Sequence, residues 1–98
     1  MNRFEKKVTL VTGAASGMGR ATCKRFASEG ASVFAVDIDA EGLATIADEI
    51  KAVGGKIATQ ICDVSQKSDC VATVKAAVAS FGQLDTLANI AGIVRFNH

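Results

Sequence analysis

Tyrosine, tryptophan and proline are absent from this 98-residue chain, and five phenylalanines are its only aromatic residues. Without proline, low-complexity segments or blocks of like charge, nothing marks a linker, and residues 1–98 read as one smallish domain. With so few rings, the core must come from Val, Ile, Ala and Leu, which supply most of the hydrophobic 49%. An excess of one charge is missing too. Eleven Lys and Arg face ten Asp and Glu, leaving a scattered formal +1. That excludes the clustered basic footprint that nucleic acid or an anionic membrane requires. Cys23, Cys62 and Cys70 include no C-x-x-C pair, and an odd number cannot close fully into disulfides. They read as ordinary thiols of a reducing compartment, with no metal site expected. No run approaches the roughly 18 apolar residues of a membrane span, and the charged start from Met1 to Lys7 is unlike a secretory signal. The expected location is cytoplasmic. The single histidine, His98, is the last residue and is given no catalytic role.

What is present is alternation. Lys7 to Thr12 is a short β-branched run, and Gly17 to Ser28 reads as a helix closed by Glu29-Gly30. Ser32 to Asp37 is apolar on both sides of the pleat, as befits a strand covered on both faces. Asp39 can cap a helix from Ala40 to about Val53, with Leu43, Ile46, Ala47 and Ile50 on one stripe before Gly54-Gly55. Lys56 to Ile61 is a third strand. Ser65 can cap a third helix reaching Phe81, where Val71, Val74, Val78 and Phe81 recur at helical spacing. Gly82 ends it, and Leu84 to Ile90 is a fourth strand. The order β-α-β-α-β-α-β predicts an α/β fold with a parallel sheet and right-handed crossovers.

The most informative stretch is Thr12-Gly13-Ala14-Ala15-Ser16-Gly17-Met18-Gly19, set between the first strand and the first helix. Its three glycines supply a tight turn, close backbone approach to a phosphate, and tight helix–strand packing. The helix N-terminus adds N–H groups and a dipole that favour a pyrophosphate. A glycine cluster alone also fits a turn without a ligand; the strand-to-helix setting favours a dinucleotide. The spacing is T-G-x-x-x-G-x-G. With Asp37 ending the second strand, Asp63-Val64 after the third, and Asn89-Ile90-Ala91-Gly92 closing the fourth, the chain resembles the short-chain dehydrogenase/reductase family. Ile90 departs from that family's N-N-A-G motif. The resemblance spans essentially the whole chain and only the first half of the family's usual length.

The resemblance implies NAD held at its pyrophosphate by Gly13, Ala15, Ser16, Gly17, Met18 and Gly19, with Met18 contributing its backbone. Asp37 would accept hydrogen bonds from the adenosine ribose hydroxyls. It would also repel a 2′-phosphate by about 1–3 kcal/mol. Ile38 supplies no guanidinium for that phosphate, and Ser16 stands where NADP-preferring relatives often carry a basic side chain. NAD is therefore expected over NADP. Asp63 would meet the exocyclic amine of adenine and Val64 its ring, although a carboxylate ahead of a helix also reads as a cap. Asn89 would tie neighbouring strands beside the adenosine, while Ala91 and Gly92 leave room for the cofactor.

In this family hydride passes between nicotinamide and a carbonyl or alcohol carbon. A tyrosine, the lysine of Y-x-x-x-K, a serine and an asparagine carry the chemistry, all from later segments. None can be transferred here, so no catalytic residue is assigned and the chain alone is expected to be inactive. The family's seven-stranded sheet, order 3-2-1-4-5-6-7, would be truncated to a Rossmann-like 3-2-1-4, leaving the fourth strand an open, apolar edge. Three readings follow: the NAD-binding half of a dehydrogenase, completed by a C-terminal half; a stand-alone NAD-binding module; or an interaction protein that self-associates into a homo-oligomer or pairs through that edge.

Overall fold

A computed structural model describes residues 6–62 and 67–90, with the side chains of 67–70 and 89 left aside. The elements are β1 (Val8–Thr12), α1 (Gly17–Ser28), β2 (Ser32–Asp37), α2 (Ala40–Ala52), β3 (Lys56–Ile61), α3 (Lys67–Phe81) and β4 (Thr86–Asn89). All neighbouring strands are parallel, in the order β3-β2-β1-β4. The parallel α/β sheet is what the alternation predicts, and its Rossmann-like order is the one the family resemblance implies. Among the described residues, no helix is long and apolar enough to cross a membrane.

Successive strand residues point to opposite faces, so the central strands β1 and β2 bury side chains on both sides of the sheet. On one face Val11, Val33 and Ala35 are buried with Cys23 of α1 and Leu43, Ile46 and Ile50 of α2. On the other, Leu10, Phe34 and Val36 lie against Ala77 of α3, with Ala76, Phe81 and Leu84 around them. The α2 stripe therefore does what its spacing predicts. A turn behind α1 is made by Gly30 at φ 95°, a left-handed conformation that a side chain would resist.

Four boundaries move inward, the first being the start of β1, at Val8 rather than Lys7. The fourth strand is Thr86–Asn89 rather than Leu84 to Ile90, because the chain before it is held by a different set of bonds. The Asp85 N–H donates to the Val8 carbonyl at 2.9 Å. In return, Asp85 Oδ2 accepts from the Val8 N–H at 2.8 Å and from Gln83 Nε2 at 2.7 Å. Beyond the strand, the Ile90 N–H still reaches the Thr12 carbonyl at 3.1 Å. Helix α2 stops at Ala52, with Val53 as its C-cap.

The third helix has the predicted extent at its C-terminal end, but its valine stripe is not its buried side. Thr73 and Ala77, one turn apart, face the sheet, while Val71, Val74 and Val78 are exposed. Small side chains at 73 and 77 let the helix lie close to the bulky Leu10 and Phe34 below. The valines project elsewhere, on the flank of a helix that has no neighbour among the described residues. The cap assigned to Ser65 lies outside the described residues.

Candidate cofactor-binding site

The loop from Thr12 to Gly19 leaves the sheet at the C-terminal ends of its strands and turns into α1. Gly13 makes the turn at φ 67°. Ala14 is fully buried, and its N–H donates to the Val36 carbonyl at 3.1 Å, which fastens the loop to β2. The next amide, Ala15 N–H, donates to Asp37 Oδ2 at 3.0 Å. Ser16 is the N-cap of α1. Its Oγ accepts from the Gly19 N–H at 3.0 Å and donates to the Gly13 carbonyl at 2.8 Å. Capping satisfies one of the four amides that every helix leaves unpaired at its start; those of Gly17 and Met18 belong to the same set.

The three glycines have three different reasons. Gly13 is needed for its backbone angle. At Gly19 a Cβ would collide with the Gly13 carbonyl oxygen and lie 2.8 Å from Ala14 Cα, so only glycine lets α1 begin this close to β1. At Gly17 a Cβ would meet nothing within 4 Å. That position faces open space at the mouth of the helix, where a missing side chain leaves the backbone approachable. A diphosphate fits such a place: helix N–H groups, a favourable dipole and no side chain in the way.

Asp37 ends β2 beside this loop, and both of its oxygens are engaged with backbone. Oδ2 takes the Ala15 amide, and Oδ1 accepts from the Asp39 N–H at 3.0 Å. Each carboxylate oxygen has a second lone pair, so ribose hydroxyls could still be accepted. Ile38 and Met18 flank the site with exposures of 69% and 70%. The structure thus brings Gly13, Ala15, Ser16, Gly17, Met18, Gly19, Asp37 and Ile38 to one end of the sheet. Asp63, Val64, Ala91 and Gly92 lie outside the described residues. Asn89 is placed at the end of β4, opposite Thr12 in the β1 ladder.

Sequence reasoning missed two things. The resemblance gives Ser16 a place at the pyrophosphate and no basic side chain, whereas the structure shows its hydroxyl capping α1. The S-G-M-G run places a cap three residues before Gly19, a signal the sequence carried. The second is the Asp37–Ala15 bond, which no spacing rule reports. Other groups are quiet. Cys23 is buried, and burial pushes its thiol up to about 12, so it stays protonated and inert. Among the described residues, no cluster of His, Cys, Asp and Glu could hold a metal ion.

A strand–glycine loop–helix unit with a carboxylate closing the next strand defines a nucleotide-binding Rossmann-type protein. The family model described as short chain dehydrogenase matches residues 7–98. The chain belongs to the short-chain dehydrogenase/reductase family and covers its N-terminal, cofactor-binding region. It is 42% identical over 93 residues to a 3-oxoacyl-acyl-carrier-protein reductase of Thermotoga maritima, covering 95% of this chain and 38% of that protein. A hydroxysteroid dehydrogenase structure from Escherichia coli superposes with TM-score 0.85 at 33% identity, covering 89% of this chain and 37% of that one. An actinorhodin polyketide ketoreductase variant with NADPH gives TM-score 0.80 at 37% identity, over 85% of this chain and 32% of that one. The chain spans 30 to 38% of the length of the curated relatives it matches.

Proposed function

We propose that these residues are the NAD-binding portion of a short-chain dehydrogenase that oxidises an alcohol or reduces a carbonyl. The observation that supports this best is the open, Ser16-capped N-terminus of α1 facing the Asp37 carboxylate across the glycine loop. Gly13, Ala15, Ser16, Gly17, Met18 and Gly19 would hold the diphosphate, and Asp37 and Ile38 the adenosine ribose. Asp63 and Val64 are assigned to adenine, Asn89 to tying neighbouring strands beside the adenosine, and Ala91 and Gly92 to leaving room for the cofactor. When bound, the dinucleotide supplies the hydride chemistry; this chain's residues bind and orient it. No residue here is assigned to proton transfer, since the sequence has no tyrosine. That role would fall to a C-terminal half, carried by a longer parent chain or by a second polypeptide, in a cytoplasmic setting.

Preference for NAD over NADP rests on the charge of Asp37. A 2′-phosphate brought against it would be disfavoured by about tenfold to a hundredfold in affinity. Calorimetric titration with each dinucleotide tests this, with Asp37→Ser expected to shrink the ratio by about tenfold. Equal wild-type affinity for NAD and NADP would overturn the preference, and no heat with either would overturn the whole reading.

A second reading, interaction through the open side, is favoured by Val71, Val74, Val78 and Leu87, all exposed on α3 and β4. Leu87 is level with Leu10 and so shares the α3 face. Covering by the complementing half accounts for these side chains; a second copy is the competing occupant. Size-exclusion chromatography of this chain at high concentration separates the two, since a clean monomer removes self-association.

A further inference from the structure

Gly42 lies inside α2, away from the glycine loop in sequence, where alanine would ordinarily favour the helix by about 1 kcal/mol. Its backbone angle does not demand glycine; its surroundings do. A Cβ at Gly42 would lie 2.6 Å from the Ala15 Cβ, 2.7 Å from Asp39 Oδ2 and 3.1 Å from Asp39 Cγ. The exposed Asp39 carboxylate is the end of a side chain and can turn aside, whereas the Ala15 Cβ cannot step aside freely. Asp39 is the N-cap of α2, and its Oδ1 accepts from the Gly42 N–H at 3.1 Å. The Ala15 Cβ is fixed to the loop backbone, whose Ala15 amide is held by Asp37 Oδ2 and whose Ala14 amide is held by the Val36 carbonyl.

We infer that Gly42 is a positioning residue for the phosphate-binding loop: with Asp37 it grips Ala15 from two sides, the carboxylate on its amide and the bare helix on its methyl group. The loop and the β2–α2 segment are thereby one mechanical unit. The residue that sets ribose recognition also holds the start of the diphosphate cradle, and α2 sets how far that cradle can move. A methyl group at 42 would push Ala15 towards the space at the mouth of α1 and displace the amides that follow it.

This inference rests on the dinucleotide reading, and the experiment keeps the two apart. Gly42→Ala, Ala15→Gly and the double variant are made in the intact natural polypeptide and titrated with NAD by calorimetry, below the melting temperature of each. Gly42→Ala is expected to weaken NAD by about tenfold, a loss that corresponds to roughly 1.4 kcal/mol. Ala15→Gly removes the methyl group in the way, so the double variant should return to within about threefold of Ala15→Gly alone, the non-additivity expected of neighbours. A merely structural role would lower melting temperature without this rescue of affinity. If Gly42→Ala fails to fold, the double variant still decides: it folds and binds, or the inference is wrong. Wild-type affinity in Gly42→Ala, or no rescue in the double variant, overturns the inference while leaving NAD binding intact. A wild type that binds no NAD overturns the proposed function, and this inference with it.

Discussion

The two faces of the sheet are built from the same kinds of residue and finished to different degrees. Over one face, α1 and α2 bring Cys23, Leu43, Ile46 and Ile50 down onto Val11, Val33 and Ala35, and an exposed bidentate pair from Arg20 to Glu49 ties the helices together at 2.9 Å. Over the other, α3 is the one helix among the described residues: its Ala77 packs with Leu10, Phe34 and Val36 and its Thr73 is buried, while Val71, Val74 and Val78 stay outside. The difference teaches where the molecule is closed and where it is open. The closed face carries the cofactor loop on its rim, where rigidity is useful; the open face ends in the short β4 edge, with Leu87 48% exposed.

The largest effect should come from testing that contrast directly. Ile46→Ala empties a fully buried position and is expected to cost about 2–5 kcal/mol in urea denaturation. Val74→Ala in the same 98 residues should change stability by no more than about 0.5 kcal/mol. A Val74→Ala loss as large as that of Ile46→Ala would mean that the α3 flank is already covered in solution, and the contrast between faces would collapse.

A smaller effect concerns a flaw in the closed face. Thr9 is fully buried, and its hydroxyl has no hydrogen-bond partner among the described residues. It sits level with Val33 and so shares that face. Thr9→Val keeps the shape and removes the orphan, and should stabilise by about 1 kcal/mol. A lower melting temperature in this variant would show that the hydroxyl is satisfied in solution.

The smallest effects are electrostatic, one on each side. Arg20 first, then Lys24, holds the Glu49 carboxyl below its ordinary value of 4.5. The Val8 backbone N–H, then the Gln83 amide, does the same for Asp85 against its ordinary 3.8. A carboxyl whose folded value is depressed adds stability above its unfolded value and loses it as pH falls through the folded one. Glu49→Gln and Asp85→Asn should therefore melt below wild type at neutral pH and converge with it in acid. Added salt should erase the Glu49 difference more than the Asp85 difference, because an exposed ion pair is screened while a backbone hydrogen bond is not. Differences that persist in acid would show that the substitutions act through packing.

Much of this was legible beforehand for identifiable reasons. The apolar run of β2 and the stripe of Leu43, Ile46 and Ile50 announce burial because side-chain direction follows backbone period. The three glycines announce a close strand-to-helix turn because its backbone angle at Gly13 and its packing at Gly19 each need a missing side chain. The α3 stripe misled because helical spacing shows which residues share a flank, and leaves open which flank meets the sheet. Thr73 and Ala77 meet it because close approach favours small side chains over Leu10 and Phe34.

The sequence by itself determined the alternation and the parallel sheet, which follow from local period, turn chemistry and a fixed crossover hand, while its motifs, through their resemblance to the family, implied the order β3-β2-β1-β4. Only the tertiary structure decided that Asp37 holds Ala15 and that Gly42 must stay bare beneath it. These are meetings of residues distant in the chain, set by how closely α1, α2 and β2 pack, and no spacing along one strand or helix encodes them.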